Sequence, residues 1–408
     1  MKQKHKILII GAGAAGLAAG HALAQRGIDF QILEASDRIG GRLGKIEDFA
    51  DFPLDMGAQW LHGKKSLMGK LIKDTKTKIT KDKSKARYWF RNQLVKEPPI
   101  DVWEMFEEEG LPDISYQEYA AQRGLGEDYQ YILEGVAGDF GASPSNLSAY
   151  WKIKEEENWS SGGKDYKFER TYFDLLNEHF ALPIMDRIQL NTPVVEINYE
   201  GKKIKVQTAN QTEFVAEKLI IAVPISILKA GDIQFTPALP NAKTEAFAKI
   251  GMEAGMKVFF KFAKAFYHQA IMGGKFCAAY VDEKMGKAGK DHVLLAFIMG
   301  QQAKYLHELP SERAIIRTLL AELDEMYDYQ ASAHFIKAKV INWMAEPYIR
   351  GAYSYSTVGM GNARSIAAQP LAGKIFFAGE AMNLNGHHQT VHGAVETGQQ
   401  AVEEILGK

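Results

Sequence analysis

The sequence predicts an α/β fold (α+β overall), and three observations carry that reading. The chain opens with an apolar run, a glycine-rich turn and a second apolar run, the pattern of a βαβ unit. β-type segments return at 188–223 and 257–262, with helical patterns between and after them. The chain has 408 residues, 46% hydrophobic and 24% charged, which is globular usage and enough to bury a core and divide into two or three domains.

The elements follow in order. Residues 6–10 read as a strand buried on both faces. Residues 11–27, rich in Ala and Leu, read as a helix stopped by Gly27, and 28–34 as the next strand. The stretch 64–87 is dominated by lysines, Lys76 among them, and reads as a solvated surface. The acidic stretch 103–110 (WEMFEEEG), which includes Glu109, reads as a solvated helix face. IQLNTPVVEINYEGKKIKVQT reads as a hairpin around Glu200 and Gly201, and KLIIAVP as another buried strand. Residues 257–262 alternate, with Val258, Phe260 and Phe262 on one face and Lys257, Phe259 and Lys261 on the other. A helix at 311–328, a short strand at 374–377 and a helix at 392–406 complete the chain.

Composition excludes several function classes. A formal net charge of −1 gives no electrostatic reason to expect nucleic acid or an anionic membrane as partner. No run of about 18 apolar residues is present to span a bilayer. The basic, then apolar, N-terminus is interrupted by Gly11, Gly13 and Gly16, unlike a secretion signal. Cys277 is the single cysteine, which excludes an internal disulfide framework and fits a reducing compartment. The chain is therefore expected to be soluble and cytoplasmic. His387, His388 and His392 cluster without acidic or cysteine partners at metal spacing, so no metal is expected.

GAGAAG at 11–16 follows a strand, opens a helix and precedes Glu34 at the end of the next strand. That arrangement suits a dinucleotide in a Rossmann-like domain. Gly11 makes the tight turn, Gly13 lets a pyrophosphate approach the backbone, and Gly16 lets helix and strand pack closely. The helix N-terminus offers N–H groups to phosphate, and Glu34 can accept from a ribose diol. The following EASDRIGGR distinguishes between cofactors. Its glycine pair, Gly40 and Gly41, with the always-cationic Arg42, resembles the second phosphate-contacting element of glutathione-reductase-like flavoproteins. FAD is expected, ahead of NAD(P).

Seven further segments, in order, resemble the flavin amine oxidases, the family of monoamine oxidases, polyamine oxidases and lysine-specific histone demethylases. DMGAQWLHG is similar to a stretch of polyamine oxidases. LNTPVVEI resembles the segment whose valine, here Val194, meets the adenine through its backbone. IIAVPISILK, IQFTPALP and MKVFFKF resemble the run into the substrate domain. INWMAEPYIRGAYSY and FFAGEAMNLNGHHQTVHGAVETG resemble the flavin-contacting C-terminal part.

The resemblance implies roles residue by residue. Lys257 would hold a water against the flavin N5, and Tyr353 would set an aromatic face against the amine. Thr390 falls where monoamine oxidases have the second tyrosine of that cage, as it does in the histone demethylases. Ala352 replaces the cysteine that bonds the flavin in monoamine oxidases, so FAD would be non-covalent. Trp343 would pack beside the isoalloxazine, Glu380 would accept a hydrogen bond from FAD, and the Val391 N–H would meet the flavin's pyrimidine edge. His62 would tune or bind the amine.

These expectations converge on an FAD-dependent amine oxidase. Hydride would pass from the amine α-carbon to flavin N5, with an imine and, through O2, hydrogen peroxide as products. Polyamines are the favoured substrate class. The alternatives are an L-amino-acid oxidase, which needs a carboxylate-binding arginine such as Arg87, Arg91 or Arg350; a desaturase or porphyrinogen-type oxidase; and a non-catalytic FAD-binding interaction protein. Histone demethylation is disfavoured by the lack of a chromatin-reading domain, a long coiled-coil insertion or a basic balance. The order of motifs implies a discontinuous FAD-binding domain (1–75, 185–240, 345–408) and an interleaved substrate domain of mixed sheet and helices (76–184, 241–344).

Overall fold

A computed structural model describes residues 2–75, 77–108 and 110–407; Lys76 and Glu109 lie outside the described residues. Two large sheets organise the chain. The first has eight strands. At its centre Lys2–Ile10 runs parallel to both Phe30–Leu33 and Glu213–Ile221. Ile375–Phe377 joins parallel on Glu213–Ile221, and Ile188–Gln189 on Phe30–Leu33. The hairpin Val194–Asn198 and Ile204–Thr208 pairs on the far side of Glu213–Ile221. Central strands with helices on both faces must be apolar on both faces, and Ile7, Leu8, Ile9 and Ile10 are all buried.

One face of this sheet carries the helix pair Ala14–Ala24 and Val391–Ile405, the other the helices Ile225–Ala230, Asn241–Lys249 and Ala363–Ala368. Ala and Gly dominate the first helix because it is packed all round. The N- and C-terminal segments are thereby brought together beside the glycine-rich turn.

The second sheet has seven strands, with Gly255–Phe262 between Phe335–Asn342 and His292–Met299. Val258, Phe260 and Phe262 point into a core capped by the helices Gly300–His307 and Glu312–Met326. The opposite face carries Phe259 and Leu295 against Leu54 and Trp343. The alternation read from the sequence therefore holds, with both faces covered and Lys257 on the face turned toward the first sheet.

A three-stranded sheet joins the two regions: Trp60–His62 pairs antiparallel with Asp165–Phe168, and that strand with Ile79–Lys81. The lysines described between Lys64 and Lys85 are exposed. The acidic stretch differs from its reading. Val102–Met105 is a single helical turn capped by Asp101, and Phe106 is buried, stacked on Tyr116 at 3.6 Å between ring centroids. One aromatic anchor sets the orientation of the stretch, since burying a Phe is strongly favourable while Glu104 and Glu107 stay exposed. Among the described residues, no helix is long and apolar enough to cross a membrane.

The packing of the two terminal helices has no slack. A methyl added at Gly398 would lie 2.1 Å from the Ala15 carbonyl oxygen. Gly398→Ala should cost about 1–3 kcal/mol through overpacking, read as a lower melting temperature. Gly163→Ala, at an exposed position with nothing within 4 Å, should leave it unchanged.

Candidate active site

A cavity of about 600 Å³ lies between the two sheets. The turn from Lys2–Ile10 into Ala14–Ala24 forms one end of it, and its three glycines differ in what they meet. Gly11 has φ +100°, and a side chain there would come within 2.7 Å of the Ala222 oxygen. At Gly16 a Cβ would lie 1.9 Å from the Gly11 oxygen, so the helix rests directly on the turn. Gly13 has an extended backbone (φ −77°) and nothing within 4 Å of its Cβ position. The protein's own packing does not require glycine at Gly13; room for a ligand does. The second glycine pair completes this cradle, with a Gly41 Cβ position 3.4 Å from Gly13 Cα. No side chain caps the helix N-terminus, so its first N–H groups are available to an anion.

Glu34 stands beside the turn, buried. It accepts from the Ala12 N–H at 2.6 Å and from the Ser36 N–H and hydroxyl at 2.9 and 2.7 Å. A carboxylate with two oxygens still has lone pairs for a diol. Val194, Trp343 and Val391 line the same cavity. Arg42 also lines it, but its Nη1 donates to the Ala352 carbonyl at 2.7 Å and to Glu380 at 2.9 Å. Glu380 accepts additionally from the Ser354 N–H and hydroxyl and from the Gln389 N–H. These two residues thus act first as a clamp on the cavity's frame. Burial works against the Glu380 charge, and Arg42, Ser354 and Arg364 overcome it, holding the carboxyl below its usual range.

His388 is 4% exposed and lines the cavity. Burial, and then the Arg364 charge, lower its imidazole to about 4, so it is neutral. Its Nδ1 is buried without a protein partner and is free to meet a water or a group bound in the cavity. The glycine cradle, the open helix end and this nitrogen together fit a bound dinucleotide cofactor of the FAD type.

The candidates for chemistry face that space. Lys257 is 2% exposed, and its Nζ donates to the Gly57 oxygen at 2.7 Å, the Asp55 oxygen at 3.2 Å and the Gln59 side-chain oxygen. Burial, opposed by Glu283 and Asp55, pulls it below the usual lysine range. An ammonium has three N–H bonds, and all three meet protein acceptors, so a water can enter only by displacing one. Tyr353 donates its hydroxyl to the Gly138 and Asp139 carbonyls at 3.2 and 3.0 Å. Its ring sits where a Cβ on Gly141 would be 2.5 Å away, and burial keeps the phenol neutral.

His62 is half exposed at the rim and lies directly across the strand pair from Asp165, 2.9 Å from its carboxylate. Burial opposes its charge, but Asp165 and Asp139 outweigh that and raise its pKa. Thr390 lines the cavity with its hydroxyl already engaged: it caps the helix Val391–Ile405, accepting from the Gly393 N–H and donating to the His387 oxygen. What it contributes to the wall is its small size.

Sequence reasoning did not single out Gln59, Glu283, Lys167 or Asp139, and it weighed His388 only as part of a histidine cluster. Gln59 lay inside the quoted DMGAQWLHG without drawing notice. Glu283 and Lys167 carry no local signal; they form an ion pair of 3.0 Å, 2–3% exposed. Removing one partner of such a pair costs about 3–5 kcal/mol.

A family model for flavin containing amine oxidoreductases matches residues 14–125 and 118–406. Human lysine-specific histone demethylase 2 is 27% identical over 442 residues, covering 98% of this chain and 53% of its own length. Polyamine oxidase 2 of Arabidopsis thaliana is 27% identical over 441 residues, covering 98% and 87%. The chain thus spans about half the length of the demethylase. Among solved structures, putrescine oxidase bound to putrescine superposes with a TM-score of 0.84 at 19% identity over all of both chains. Cyclohexylamine oxidase from Brevibacterium oxydans gives 0.82 at 20%, over 99% of both chains. At these identities the structural matches establish the mixed α/β fold.

The cradle gives a direct test. Gly13→Ala should leave the flavin-free melting temperature within a few degrees of the parent, since the added methyl has no protein atom within 4 Å. It should abolish flavin retention on purification, read by absorbance. Gly16→Ala should lower both.

Proposed function

The chain belongs to the flavin containing amine oxidoreductase family, and from that premise we propose that it is an FAD-dependent amine oxidase acting on di- and polyamines. The carrying observation is that the Gly13 cradle, Lys257 and Tyr353 line one cavity, although three distant segments supply them. Bound there, FAD would supply the two-electron oxidation, accepting hydride from the amine α-carbon and handing the electrons to O2 to give hydrogen peroxide. Gly11, Gly13, Gly16, Glu34 and Gly41 would hold its dinucleotide end. Trp343, Val391 and His388 would surround the opposite end.

The chain's own residues bind and orient the substrate. Tyr353, fixed by two carbonyls, presents an aromatic face suited to an amine. Hydride loss needs a neutral amine nitrogen, whose lone pair stabilises the forming iminium. The second, distant ammonium of a diamine suits the acidic rim, where Asp139 and Glu156 line the cavity and Asp165 stands behind His62. The iminium hydrolyses to an aldehyde and a smaller amine or ammonia. Ala352 supports non-covalent retention, since a methyl side chain cannot bond the flavin. The one cysteine, Cys277, is buried in the core on the far face of the second sheet.

The amino-acid oxidase reading needs an arginine for the substrate carboxylate. Of the three candidates, Arg87 does not line the cavity, Arg91 pairs with Asp128 and Arg350 with Asp232. The arginines that line the cavity, Arg38 and Arg42, donate to backbone carbonyls and, for Arg42, to Glu380. That favours amines without a carboxylate.

Anaerobic addition of putrescine or spermidine should bleach the flavin, while free L-amino acids should not; no bleaching by any amine would leave only a binding role. Lys257→Met should slow the bleaching by about 10² or more, the scale of losing a positioned acid–base group. In a separate check, denaturation should release all of the yellow chromophore into the filtrate.

A further inference from the structure

A buried polar chain runs from Lys257 away from the cavity. Gln59 receives a hydrogen bond from the Lys257 ammonium and donates from its Nε2 to Glu283 at 2.8 Å. Glu283 pairs with Lys167 at 3.0 Å, and the Lys167 ammonium also lies 5.2 Å from the Trp60 ring centroid. Register dictates these meetings, because Trp60 and Lys167 are direct partners across the antiparallel pair. Gln59 is 2% exposed and Glu283 2% exposed.

The chemistry of this chain permits one orientation of the amide. An ammonium can only donate and an ionised carboxylate can only accept. Gln59 must therefore turn its oxygen to Lys257 and its NH2 to Glu283. Lys167 keeps Glu283 ionised, so its charge acts on Lys257 through two hydrogen bonds.

We propose that Gln59 and Glu283 are positioning residues for Lys257: Glu283 orients the Gln59 amide, and the amide, with the Asp55 and Gly57 carbonyls, clamps the Lys257 ammonium at the cavity wall. This rests on the site reading above, in which Lys257 serves the bound flavin. It goes beyond that reading by assigning the group that takes the third ammonium proton. With Glu283 neutral, the amide loses its anchor and can present its NH2 end, which repels an ammonium. The charged groups around Lys257 are Asp55 from the strand Leu54–Asp55, Glu283 and Lys287 from the segment after the strand Ala279–Asp282, and Lys167 from the strand Asp165–Phe168. The acids favour its charge, while the lysines and burial oppose it.

The test is a pH titration of Lys257 by lysine-selective ¹³Cε NMR on the full flavin-loaded chain, with the signal assigned by its loss in Lys257→Met. Gln59→Met and Glu283→Gln should each move the titration midpoint down by about one pH unit or more, a tenfold or larger loss in proton affinity. If Glu283→Gln does not fold, Lys167→Met/Glu283→Leu removes both charges together. That variant leaves the net charge around Lys257 unchanged and should still shift the midpoint downward, because the amide has lost its anchor. An unmoved midpoint in Gln59→Met, or in whichever Glu283 variant folds, overturns the proposal. The readout requires no turnover. A wild-type flavin that no amine bleaches would overturn the proposed function and leave this result standing.

Discussion

The carboxylate of Glu380 is the point on which the rest of the site depends. It receives Arg42 from the second glycine pair, Ser354 from the segment after Tyr353, and the Gln389 N–H from the turn before the last helix. Arg364 reaches the same group through the Ser354 hydroxyl and holds Glu155 from the helix Ala149–Glu156. Three separate stretches of chain thus register directly against one buried anion, and Arg364 and Glu155 tie two more to it at one remove. A buried charge is tolerated only when fully paired, so each stretch must arrive correctly for the others to be stable. The cavity inherits its shape from that demand: Tyr353, Ala352 and His388 are each within two residues of a member of the cluster.

The parts of the fold legible in the sequence were those governed by local rules. Gly11 and Gly16 are required by a turn and by a close packing contact, and Gly13 by the absence of one, and all three lie in one short motif. The strand Gly255–Phe262 could be read because side chains alternate with period two, which put Lys257 opposite Val258 whatever the surroundings. The assignment of roles to Tyr353, Glu380 and Val391 came from resemblance, which gives a position but not the hydrogen bonds made there. Hence Thr390 was placed on the cavity wall while its capping of the last helix went unseen, and Glu380 was expected to serve the cofactor while its donors are protein groups.

What remained illegible was tertiary by nature. Phe106 looks like one apolar residue in an acidic run until Tyr116 is placed beneath it. Gln59, Lys167 and Glu283 come from three elements and meet only because Trp60–His62 pairs with Asp165–Phe168 in one register; a shift by a single residue would turn Lys167 away from Trp60. Such residues carry no periodicity or motif, and a polar chain inside a protein becomes visible only when its donors and acceptors can be counted against each other.

The assembly of the first sheet has a consequence for how this protein is made. The strand Lys2–Ile10 leaves the ribosome about 200 residues before its neighbour Glu213–Ile221, and the helix Val391–Ile405 that covers Ala14–Ala24 follows later still. Pairing across such separations is slow, and the open edges meanwhile invite association with other chains. The segments that build the cofactor cradle are therefore synthesised far apart in time. Until the later segments arrive, the early strands keep apolar faces uncovered, and a cofactor cannot be enclosed before those segments pack.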